Sequence, residues 1–90
     1  MRAVIVWKDN TDYSREVISW LEEFERRTGR EVESVDPDSM DGGGFAQAYD
    51  VVEYPTILGL DDMGRVLDIW RGTPLPRIDE VAFYAVEKKI

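Results

Sequence analysis

Three groups of residues in this chain have the types and spacing to do chemistry. Asp61-Asp62 sets two carboxylates side by side, followed by Gly64. Thr11 and Ser14 place two hydroxyls at the start of an amphipathic stretch. Gly42-Gly43-Gly44 is an uninterrupted glycine run. Adjacent carboxylates hold a cation or, more commonly, shape a turn by accepting backbone N–H groups. Hydroxyls before a helix cap its free N–H groups, or act as nucleophiles when a base stands beside them. A glycine run cradles phosphate only when it follows a strand and ends in Gly-Lys-Ser/Thr. That ending is missing here, so the run reads as a hinge. The chain has neither cysteine nor histidine. Disulfides, zinc ligation by Cys or His, and Cys–His or Ser–His nucleophilic pairs are therefore outside its chemistry. No metal and no cofactor is expected.

The elements that would position these residues follow from periodicity. Ala3 to Trp7 is a continuous apolar run, expected as a central strand covered on both faces. The polar cluster Asp9-Asn10-Thr11-Asp12 leads into a helix over residues 13–28, capped by Thr11 or Ser14 and stopped by Gly29. Val17, Ile18, Leu21 and Phe24 form its apolar stripe, with Trp20 at the edge. Glu22–Arg26 and Glu23–Arg27 are expected ion pairs on its wet side. Residues 31–35 read as a second strand, and residues 45–49 as a short helix after the glycine hinge. Residues 56–60 and 65–70 read as a hairpin, with Gly64 taking positive φ. Pro76 opens a last helix with Ile78, Val81, Ala82 and Ala85 inward and Lys88 and Lys89 near its C-terminal end. The order is β-α-β-α-β-β-α, an α/β domain over residues 1–90 with a four-stranded mixed sheet.

Charge narrows the partners. Nineteen acids face eleven bases, for a net −8, and both halves of the chain are acidic. Nucleic acid and anionic membrane surfaces need a positive face and are not expected partners. The apolar run at the start is too short for a signal core or a membrane span, so a cytoplasmic location is expected. Asp68 in an apolar strand is expected to face solvent at a sheet edge. Trp7, Trp20 and Trp70 read as core or core rim.

The element order, together with Ala48-Tyr49-Asp50-Val51-Val52-Glu53-Tyr54-Pro55-Thr56 and then Asp61, Gly64 and Gly72, resembles the thioredoxin-like superfamily. The resemblance implies a three-layer thioredoxin-like fold and a cis Tyr54–Pro55 bond. In redox members a Cys-x-x-Cys pair stands where the first strand leads into the first helix. The matching stretch here is Thr11-Asp12-Tyr13-Ser14, with Tyr13 as in glutaredoxins. The glutaredoxin Gly-Gly signature near the last strand is absent, and Asp68-Ile69-Trp70-Arg71-Gly72 stands there. Exchange needs a thiolate, and a helix N-terminus activates a thiol but not an alcohol. The first strand also lacks the buried acid of redox members. The resemblance thus implies a non-redox, non-enzymatic module that binds a protein or extended peptide beside Pro55. Its expected groove is Thr11, Asp12, Tyr13, Ser14, Tyr54, Pro55 and Thr56. Two other readings stand beside it. In one, the hydroxyls only cap the helix and Tyr54 only fills space. In the other, a hydroxyl of Thr11, Tyr13 or Ser14 stabilises bound glutathione thiolate, as in some glutathione transferases. The residues do not specify an oligomeric state.

Overall fold

The computed structural model describes residues 1–87. Its main sheet has four strands: β1 (Arg2–Val6), β3 (Glu33–Val35), β4 (Thr56–Leu60) and β5 (Val66–Arg71), in the order β3-β1-β4-β5. β1 runs parallel to β3 and antiparallel to β4, and β4 and β5 form the hairpin. The helices are α1 (Ser14–Thr28), α2 (Met40–Ala48) and α3 (Ile78–Ala82). Two further short strands, β2 (Arg30–Glu31) and β6 (Val86–Glu87), pair antiparallel apart from the main sheet.

Alternation along the central strands divides the core. Ala3 and Ile5 of β1 and Ile57 of β4 pack with Val17 and Phe24 of α1 and with Ile78 and Val81 of α3. Val4, Val6, Leu58 and Leu60 point the other way and pack with Ala46 of α2 and with Val51. Side chains two apart share a face of a strand, so a run apolar at every position must be covered on both sides. The result is α1 and α3 over one face and α2 over the other, the expected three layers.

Several expectations change. The strand expected over 31–35 is split, because Val32 turns into the first core cluster while residues 30–31 pair with β6 and residues 33–35 pair with β1. The glycine run is not a hinge: it lies inside α2, which starts at Met40 rather than 45. Ser39 caps this helix, its Oγ accepting from the Gly42 N–H at 2.9 Å while donating to the Asp36 carbonyl at 2.7 Å. Gly42 is buried there, and a Cβ on it would strike that same Asp36 carbonyl.

The last helix ends at Ala82, leaving Ala85 outside. The Arg30 guanidinium donates to the Ala82 carbonyl at 2.5 Å. A continuing helix would have given that carbonyl to the N–H of Val86, which lies instead in β6. Lys88 and Lys89 lie outside the described residues. α1 follows expectation closely, ending at Gly29 with φ 67°. Ile18, however, is 43% exposed and belongs to the wet side of α1. Arg26 and Arg27 both pair with Glu23, so the expected Glu22–Arg26 pair is replaced by an i,i+3 contact. Gly64 takes φ 82° in the hairpin.

Candidate functional site at the β1–α1 corner

The register of β1 against β4 creates the site. Val6 lies opposite Thr56, so the chain leaving β1 and the chain entering β4 meet at one end of the sheet. Thr56 also lies opposite Arg71, which brings the end of β5 to the same place. The Gly72 N–H donates to the Pro55 carbonyl at 2.7 Å and ties these segments together. Gly72 has φ 76°, a conformation a side chain would strain.

The loop between β1 and α1 is knitted from within. The Lys8 N–H donates to Tyr13 Oη at 3.0 Å, and Thr11 Oγ1 donates to the Lys8 carbonyl at 3.1 Å. Ser14 Oγ donates to the Thr11 carbonyl at 2.9 Å. The expected helix cap is therefore not made. Residue Tyr13 occupies the cap position, and its side chain makes no cap hydrogen bond. Both hydroxyls spend their protons on carbonyls because the turn leaves those carbonyls facing them. Tyr13 packs against the first core cluster with its oxygen at the loop. Asp12 is exposed.

On the opposite wall, the Tyr54–Pro55 peptide is cis, as is Thr73–Pro74. Tyr54 is half-buried against the second core cluster. Thr56 is only 1% exposed, and its Oγ1 donates to the Glu53 carbonyl at 2.7 Å. It holds the turn from inside and offers no contact surface. Pro55 is buried as well. The stretch from Val51 to Pro55 lies outside the strand ladder, which begins at Thr56.

Lys8 joins the two walls. Its ammonium stands 5.2 Å from the centroid of the Tyr54 ring and 3.4 Å from Asp38 Oδ1. A cation over a tyrosine face is attracted by the ring quadrupole. Sequence reasoning passed over Lys8, although a signal existed. It is the first charge after the apolar run and stands eighty residues before the next lysine, Lys88. Gly72 was legible from the resemblance, whereas the place of Arg71 emerges only through its pairing with Thr56.

Away from this corner, Asp61 is a turn former. Its Oδ1 accepts from the N–H groups of Met63 and Arg65 at 2.8 and 2.9 Å, and its Oδ2 accepts from Arg65 Nε at 2.9 Å. The Arg65 N–H is the largest influence holding the Asp61 carboxyl below its ordinary value, against an opposing desolvation. Asp62 takes the amino group of Met1. Trp7, Trp20 and Trp70 sit at the rim of the first core cluster.

The three-layer arrangement and this corner together define a thioredoxin-like fold. Thioredoxin 1 from the thermophilic eubacterium Thermosipho africanus TCF52B superposes with a TM-score of 0.64, covering 93% of this chain and 89% of that one, at 14% sequence identity. No protein-family model and no curated protein sequence matches the chain. The chain thus has the thioredoxin-like fold and no cysteine to use in it.

Proposed function

We propose that this chain is a non-redox binding module that holds an extended segment of a protein or peptide at the corner formed by Tyr13 and Tyr54. The observation that carries the reading is the bridge made by Lys8, whose N–H meets Tyr13 and whose ammonium covers Tyr54. It links Tyr13 to Tyr54, which lies in a backbone stretch that no strand among the described residues pairs with. Tyrosine gives rigid apolar area with one polar tip, which suits recognition at low entropic cost. An unladdered backbone beside it offers N–H and carbonyl groups to an incoming strand. Glu53 lies within this stretch and is exposed, which favours a ligand without a dense negative charge.

The glutathione reading finds less support. Thr11 and Ser14 already donate their hydroxyl protons to carbonyls, whereas Tyr13 Oη accepts from the Lys8 N–H, so that reading rests on Tyr13 as the hydroxyl that would face a thiolate.

Peptides selected from a random library on the whole protein test the proposal. Selected peptides are expected to shift the NMR signals of Tyr13 and Tyr54, and Tyr54→Ala is expected to weaken them about tenfold, the loss of one anchoring aromatic. Equal binding by Tyr54→Ala would remove the corner from the account. Glutathione at millimolar concentration is expected to leave both signals in place, and a saturable shift would favour the transferase-like reading.

A further inference from the structure

We propose that a second surface, the trough along the free edge of β3, receives an extended partner segment that carries arginine or lysine side chains. This goes beyond the Tyr13–Tyr54 corner and rests on other residues. β3 is the outer strand of the main sheet, with β1 as its sole neighbour among the described residues. Its outward N–H and carbonyl groups are open to an added strand.

Beside this edge lie two adjoining cavities of about 280 and 200 Å³, which share Ser34, Val35 and Asp36. Val35 lines both; Phe45 adds the aromatic wall of the larger and Trp7 that of the smaller. Trp7 is held in place because its Nε1 donates to Ser34 Oγ at 3.3 Å. The rim carries Asp9, Asp36 and Asp41, and among the described residues no lysine or arginine lines either cavity. The nearest cation in sequence, Lys8, pairs with Asp38 instead. None of the three rim carboxylates forms an ion pair within the described residues.

An aromatic floor under a carboxylate rim complements one kind of side chain: a long aliphatic stem that ends in a cation. A stem covers Phe45 in one cavity or Trp7 in the other, on either side of β3, and the head reaches the rim. Charge also argues against a second copy of this chain as the occupant, since each copy carries a net −8.

The test uses a synthetic probe on the ¹⁵N-labelled full chain at physiological salt, where weak surface attraction is screened. The probe is the acetylated, amidated pentapeptide Arg-Val-Arg-Val-Arg, and its control has citrulline, a neutral isostere, in place of each arginine. Saturable shifts are expected at Ser34 to Asp36, at Gly42 to Gly44 and at the Trp7 indole. Binding is expected to weaken at least about tenfold with citrulline and with the Asp36→Asn/Asp41→Asn double variant, a loss typical of charge-assisted contacts. Asn keeps the side-chain oxygen that accepts from Asp38. Should the double variant fail to fold, the arginine–citrulline comparison on the unaltered protein still decides. Equal binding of the two peptides, shifts that never saturate, or no shift at all would overturn the proposal. Shifts confined to Tyr13 and Tyr54 would overturn it too, while supporting the corner. A dimer in sedimentation that protects β3 would assign the edge to a second copy instead.

Discussion

At the scale of single residues, Asp61, Gly59 and Tyr84 carry the clearest consequences. Asp61 accepts three hydrogen bonds in the hairpin, and its carboxyl titrates below the ordinary 3.8. A depressed folded value stabilises the fold above the unfolded value and loses that contribution as pH falls through the folded one. Thermal melts of Asp61→Asn are therefore expected to lie below those of the unaltered chain at neutral pH by a constant gap. That gap should close below about pH 3.8, and one that widens in acid would contradict the assignment. Tyr84 shows the opposite sign. Desolvation first, then the Asp68 charge and its hydrogen bond, raise its phenol above 10.0. The contribution is present below the unfolded value and disappears as alkali carries the pH through the folded one. The Tyr84 ring also occupies the space over Gly59, where an added Cβ would lie 2.7 Å from the ring. Gly59→Ala is expected to cost about 1–3 kcal/mol of stability, the usual cost of overpacking. In urea titrations, combining it with Tyr84→Ala should cost less than the sum of the two. Full additivity would mean that the ring does not sit there.

At the scale of elements, α2 offers the sharpest contrast. Three consecutive glycines cost a helix about 1 kcal/mol each relative to alanine, which is why the sequence reads as a break. The helix forms because Ser39 caps it and Ala46 buries against β1 and β4. Gly42 is needed for the close approach of the Asp36 carbonyl, whereas the space around Gly44 is open. Gly44→Ala is expected to raise stability by up to about 1 kcal/mol, and Gly42→Ala to lower it, both read from melting. Equal effects would mean that the close approach is not real. In α1, Phe24 is 1% exposed and stacks with Trp20 at 5.2 Å. Phe24→Ala is expected to cost about 3–5 kcal/mol, a large part of the stability of a domain this size.

These elements also show what the sequence makes legible. Ala3 to Trp7, the stripe on α1 apart from Ile18, and the Gly64 hairpin were readable because the local pattern agrees with the final structure. The split at Val32, the start of α2 and the end of α3 were not. Two of these are set by partners distant in sequence, β6 for residues 30–31 and Arg30 for Ala82, while the start of α2 is set locally by Ser39 and the Asp36 carbonyl against the low helix propensity of glycine. The same holds at the corner. The loop and the Tyr54–Pro55 segment were identifiable from the residues and their spacing. The bridging role of Lys8 and the inward turn of Thr56 arise only when β1 and β4 align.

At the scale of the whole molecule, the fold is thioredoxin-like and the chain has no thiol. Among the described residues, no helix is long and apolar enough to cross a membrane. The two surfaces proposed for binding are the Tyr13–Tyr54 corner and the acidic edge of β3. The net −8 also acts on the molecule as a whole. Self-repulsion among unpaired carboxylates opposes compaction, so the urea midpoint is expected to rise between low and physiological salt. A falling midpoint would mean that the surface ion pairs outweigh the repulsion.

The most direct test of the central proposal is amide hydrogen exchange across Val52, Glu53 and Tyr54, with and without a selected peptide. Pairing of an extended ligand with this backbone predicts slowed exchange at these amides on binding, together with slowed exchange in the peptide itself. Unchanged exchange there, with protection appearing on another face, would contradict the account.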